Sequence, residues 1–174
     1  MGLKTKKLQN HTSKYFDEAW KIYEDSFPTV EKRTLSEQKY IINDKRYTAN
    51  VFLDQEKVVG ILFYWEFQEH TFIEHFAVSP FCRGNSYGSS ILLDFLEKHN
   101  NVVLEIELLH DDISKRRYEF YKRFGFMLNE HKHFQVPFRK DAKELELLLL
   151  SLNRPILKKE YKNLYEEMKE SLSV

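Results

Sequence analysis

Residues 71–98, TFIEHFAVSPFCRGNSYGSSILLDFLEK, constrain this chain more than any other stretch. The run 71–78 reads as a strand, and Pro80 ends it. Over about 86–98, Tyr87, Ile91, Leu92, Phe95 and Leu96 fall at helical spacing and make one apolar stripe. Between strand and helix lie Gly84 and Gly88, two of only 5 glycines. A strand that feeds an amphipathic helix needs a sheet for the one and a layer for the other, so the chain must build an α/β fold. A helix start also carries unpaired N–H groups and partial positive charge. Glycines let phosphate oxygens approach that backbone, and Arg83 adds a charged donor. The loop therefore suits a phosphate or pyrophosphate, against the plainer reading of a turn whose glycines only satisfy dihedral needs.

The rest of the chain supplies the sheet. Residues 3–9 could form a short edge strand. Over 13–27, Phe16, Trp20, Tyr23 and Phe27 share a helical face, which Pro28 ends; a second short helix follows around 33–42. YTANVFLD and KVVGILFYWEF form a hairpin closed by DQEK. NVVLEIEL (101–108) reads as a buried strand. A helix over 111–124 carries Ile113, Arg117, Phe120, Tyr121 and Phe124, with Gly125 as its C-cap. Strands near 126–136 and 144–150 come next. Asn153 and Pro155 then start a last helix, with Leu157, Tyr161, Leu164, Tyr165, Met168 and Leu172 facing inward. The order predicts a mixed, mostly antiparallel sheet of about six to seven strands flanked by helices, in one domain over 1–174.

Composition excludes several classes. Lys+Arg and Asp+Glu balance at 27 each, so no global field calls for nucleic acid. The one cysteine, Cys82, cannot make an internal disulfide, which fits a reducing cytoplasm. The opening MGLKTKKLQNHTSKYF lacks the apolar core of a secretory signal, and Lys6 stands where a myristoylation signal wants Ser or Thr. No apolar run is long enough to span a membrane. The loop is not a P-loop, because no Gly-Lys-Ser/Thr occurs. Nor is it a dinucleotide fingerprint, because Gly84 and Gly88 are spaced wrongly. His131 with His133, and His70 near His75, lack the spacing that completes a metal site, so no metal is expected.

The loop resembles the acetyl-CoA loop of the GNAT N-acetyltransferases, Arg/Gln-x-x-Gly-x-Gly/Ala between a strand and a helix. It falls on Arg83, Gly84, Asn85, Ser86, Tyr87 and Gly88, with Ser86 where the family usually has its first signature glycine. FIEHFAVSP is similar to the family's fourth strand. RRYEFYKRFGF (116–126) is similar to its second signature, a helix carrying Phe-Tyr and closing on Gly-Phe. SFPTVEKR resembles the Phe-Pro-x-x-Glu-Arg segment between the first two helices of many bacterial members.

The resemblance implies a GNAT-like fold with splayed fourth and fifth strands. It implies acetyl-CoA as cosubstrate and direct transfer of the acetyl group to a primary amine of a small molecule or peptide. A non-catalytic acyl-CoA-binding or sensing module with the same fold is the alternative. The protein is expected to be a monomer or homodimer that needs neither nucleic acid nor membrane. Phe76, Ala77 and Val78 would pair through their backbone with the pantetheine arm. Arg83 to Ser89, counting Gly84, Asn85, Ser86, Tyr87 and Gly88, would hold the pyrophosphate, with Phe120 also against the cofactor. Tyr121 matches the family tyrosine that protonates the departing sulfur. Strand alternation sets Glu74 beside Phe72, Phe76 and Val78 on an otherwise apolar face. Burial there is expected to raise its pKa and suit it as general base, with Glu107 as rival.

Overall fold

The computed structural model describes residues 2–139 and 143–173. The chain forms two compact units, Met1–Glu66 with Ile73–Lys98, and Phe67–Phe72 with His99–Val174.

In the first unit the strands run in the order β1 (Lys4–Lys7), β2 (Tyr47–Asp54), β3 (Lys57–Glu66) and β4 (Thr71–Val78), whose first two residues belong to the second unit. β2 and β3 are the expected hairpin, antiparallel with Thr48 opposite Tyr64 and Asp54 opposite Lys57. Every residue from Val58 to Trp65 is buried. That explains why β3 reads as a continuous apolar run rather than an alternating one. β1 pairs with β2, and all four of its side chains, three of them lysines, are exposed. Helix α1 (Phe16–Ser26) buries Phe16, Ala19, Ile22 and Tyr23. A 3₁₀ turn (Thr29–Glu31) follows Pro28, and α2 (Leu35–Ile41) opens on a capping box between Thr34 and Glu37. Helix α3 (Tyr87–Leu96) buries Ile91, Leu92 and Phe95. Gly60 lets it sit close to the sheet: a Cβ there would lie 2.7 Å from Ile91 Cδ1 and 3.1 Å from the Ala77 carbonyl oxygen.

In the second unit β5 (Val102–Ile106) lies beside β8 (Glu146–Leu152), and β8 beside β6 (Phe126–Leu128) and β7 (His133–Phe134). All three pairings are antiparallel. Helix α4 (Asp112–Arg123) starts on a capping box between Asp111 and Ser114. Gly125, at φ 90°, ends it as expected. Helix α5 (Lys158–Ser171) buries Leu164 and Met168.

The mixed, mostly antiparallel α/β class is thus observed, with eight strands among the described residues. The count exceeds six or seven because the run 126–136 is two short strands broken at Asn129. That side chain donates to the Leu149 carbonyl at 3.1 Å and to Ser151 Oγ at 2.9 Å, and accepts from the Ile156 N–H at 2.8 Å. α5 starts later than expected, because Asn153 takes a left-handed φ of 65° and its N–H donates to the Gly125 carbonyl at 2.8 Å. Ile113 and Leu157 lie at helix starts and are exposed rather than turned inward. Among the described residues no helix is long and apolar enough to cross a membrane.

Candidate functional site

β4 ends at Val78, a single 3₁₀ turn (Pro80–Cys82) reverses the chain, and Arg83 to Ser86 lead into α3. Gly84 has φ 82°, and a Cβ there would meet nothing within 4 Å, so its left-handed backbone faces open space. Ser86, the N-cap of α3, also has positive φ, 60°, and no side chain caps the helix. The departure from the signature glycine is therefore a serine held in the conformation a glycine takes without strain. Among the described residues the first N–H groups of α3 thus lack a capping side chain, and no acidic residue stands in its first turn. Arg83, Gly84, Asn85 and Ser86 are exposed, whereas Tyr87, Gly88 and Ser89 are half-buried. Asn85 Nδ2 donates to the Cys82 carbonyl at 3.2 Å and braces the turn. Tyr87 donates from its hydroxyl to Asp54 Oδ2 at 2.5 Å, tying the helix start to the β2–β3 turn. Uncapped N–H groups, a bare left-handed glycine and an exposed guanidinium together make a cradle for phosphate oxygens.

Phe76, Ala77 and Val78 at the end of β4 are each half-buried. Glu74 is buried as the alternation predicts, but it is not alone among apolar groups. Its side chain is 0% exposed and bound bidentately by Arg33, also 0% exposed, at 2.6 and 2.7 Å. Trp65 Nε1 donates to it at 2.9 Å, and His75 Nδ1 lies 3.1 Å away. Burial alone would raise its pKa, but the Arg33 charge, then the contacts of His75 and Arg33, drive it far below the usual carboxylate range. The expected rise in its pKa is thus corrected to a fall, because the buried carboxylate is the ion-pair partner of Arg33. Glu107, the rival, is bonded by Arg117 and partly exposed.

In the second unit Tyr121 is 7% exposed, with its ring edge-on to Phe120 and Phe126. Burial pushes its phenol up to about 12, against a smaller opposing effect of Arg117. Phe120 is half-buried. His133 is buried between Glu105 Oε1 at 2.6 Å and the Tyr161 hydroxyl at 3.0 Å, while His131 stacks on Tyr161. Among the described residues no group of three or more possible metal ligands occurs. Cys82 is a buried free thiol.

Sequence reasoning missed Arg33, His75 and Asp54. Asp54 carries no signal. Arg33 carries one: a lone carboxylate in an apolar strand needs a buried cation, and Arg33 stands just before the helix-starting Thr34.

The sequence profile of the acetyltransferase (GNAT) family matches residues 12–126. A Bacillus subtilis (strain 168) protein, YjbC, provisionally named an acetyltransferase, is 24% identical over 102 residues, 58% of this chain and 52% of its own. The chain thus spans about half the length of that curated relative. The solved structure of a provisionally assigned GNAT acetyltransferase from Bacteroides thetaiotaomicron superposes with a TM-score of 0.87 at 26% identity, covering 95% of both chains. An aminoglycoside 6′-N-acetyltransferase complexed with coenzyme A superposes at 0.64 with 15% identity, over 88% of this chain and 99% of its own. Through that profile, over well more than half its length, the chain belongs to the acetyltransferase (GNAT) family.

Proposed function

We propose that the protein transfers an acetyl group from acetyl-CoA directly to a primary amine of a small molecule or peptide. The observation that carries this reading is the uncapped start of α3, with left-handed Gly84 and Ser86 and exposed Arg83. Arg83 to Ser89 hold the pyrophosphate through backbone N–H groups and the guanidinium. The main chain of the half-buried residues Phe76, Ala77 and Val78 pairs with the pantetheine arm and orients the thioester carbonyl. Acetyl-CoA supplies the activated acyl group. The amine nitrogen forms a bond to the carbonyl carbon, the carbon–sulfur bond breaks, and the amine proton leaves to water. Glu74 takes no part in that proton transfer, because its oxygens are filled. Tyr121 gives its phenolic proton to the sulfur and recovers one from solvent. A phenol pushed up to about 12 is fully protonated at neutral pH, so the donor is always loaded. The aminoglycoside enzyme of the same fold supports an amine acceptor by analogy alone. The buried thiol of Cys82 suits a reducing cytoplasm.

The test is binding, then turnover. Acetyl-CoA should raise the melting temperature of the folded protein by mass action. Arg83→Ala and Gly88→Val should each reduce that shift, one by removing a donor and the other by crowding the backbone. No shift at millimolar acetyl-CoA would sink the reading. Thiol release over a panel of amines then separates an enzyme from a binding module, which holds CoA and releases none.

A further inference from the structure

The buried ion pair of Arg33 and Glu74 poses a question that stability does not answer. Moving two charges into a protein interior costs about as much as their attraction returns, and apolar side chains of similar volume often serve as well. The direction of the contacts is more informative. A carboxylate offers about four acceptor positions. Here Arg33 fills two, Trp65 one, and His75 Nδ1 lies against the fourth.

Each partner is itself held. The N–H of Arg33 donates to the Tyr23 hydroxyl at 2.8 Å. His75 Nε2 donates to the Glu31 carbonyl at 2.7 Å, and its ring stands edge-on to Tyr23 and Phe27. Lys32 Nζ donates to the Glu24 carbonyl at 3.0 Å. Residues 31–33 are thus anchored one after another, and they grip two consecutive residues of β4. The Glu74 side chain is 0% exposed while the residue as a whole stays half-buried, so its accessible surface is main chain. Beyond the buried His75, the residues Phe76, Ala77 and Val78 are each half-buried. Holding two successive side chains prevents rotation of the strand about its own axis, the motion that would turn its main-chain groups away from a ligand.

We infer that Arg33 and His75 are positioning residues, which fix the main chain of β4 through Glu74 and the Glu31 carbonyl so that its end receives the arm of CoA. Neither touches substrate. The inference rests on the acetyl-CoA reading above.

The test separates the arm of CoA from its nucleotide. Arg33→Met combined with Glu74→Met replaces the ion pair by apolar side chains of similar length. Melting temperature is measured first, then dissociation constants for CoA and for adenosine 3′-phosphate 5′-diphosphate, which lacks the arm. The double variant should melt within a few degrees of the parent and bind the nucleotide equally well. Its affinity for CoA should fall about tenfold, because an unfixed strand must be ordered on binding. Unchanged CoA affinity overturns the proposal, and so does an equal loss for both ligands, which is what a merely structural pair would give. Should the double variant fail to fold, Arg33→Lys keeps the charge and loses the two-pronged grip. The same comparison then applies with the same outcomes. A parent protein that binds neither ligand removes the acetyl-CoA reading itself, and the clamp with it.

Discussion

Tyr121 keeps its ring among Phe120 and Phe126 whether or not it has a hydroxyl. Tyr121→Phe should therefore leave CoA binding and melting temperature nearly intact. Under the proposed mechanism it should lower kcat by about 10²–10⁴-fold, because the interaction lost there forms only as charge develops on sulfur. Steady-state rates, CoA titration and thermal melting on one preparation check this, and normal turnover removes Tyr121 from the mechanism. The loop offers a second residue-scale contrast. Gly84, at φ 82°, should tolerate alanine badly, with a loss of about 1 kcal/mol in urea unfolding. Ser86, at φ 60°, should accept glycine with no loss or a small gain, since relief of left-handed strain offsets the added freedom of the unfolded chain. The reverse order of the two variants would contradict the loop geometry.

At the scale of elements, α3 lies against β3 through the gap at Gly60. Gly60→Val should destabilise by about 1–3 kcal/mol, because the Ile91 methyl group can move but the Ala77 carbonyl belongs to a strand. A shift of the urea midpoint at unchanged slope would report it, and a neutral variant would show that the helix is not seated there. The elements of the first unit were largely legible in the sequence. β3 is apolar without interruption, α3 has a single stripe, and Pro28 and Pro80 punctuate. What escaped depends on atoms distant in sequence. Asn129 looks like an ordinary strand residue until Leu149, Ser151 and Ile156 surround its amide. The role of Glu74 could be read only halfway. Alternation found a buried carboxylate, but the sign of its pKa shift depends on Arg33, 41 residues away, and on the ring of His75 beside it.

For the molecule as a whole, the buried titratable groups set the pH range of stability. Glu74 is depressed, so its contribution is complete above the ordinary carboxylate value of 4.5 and is lost as pH falls below it. Burial raises Tyr23 and Tyr47 and pushes Tyr121 and Tyr161 up to about 12. Those tyrosines ionise near 10 when unfolded, so above pH 10 the unfolded chain holds fewer protons and stability falls. The urea midpoint should therefore decline below about pH 4.5 and again between about pH 10 and 12. A midpoint that rises across the alkaline range would contradict the burial of those phenols. The outermost strand of the first unit has a different consequence. Lys4, Lys6 and Lys7 line β1, whose outer backbone groups have no strand beside them among the described residues. Two such borders brought together would set like charges side by side, so the lysines keep one molecule from adding its sheet to the next and protect the protein from fibrous self-association when concentrated.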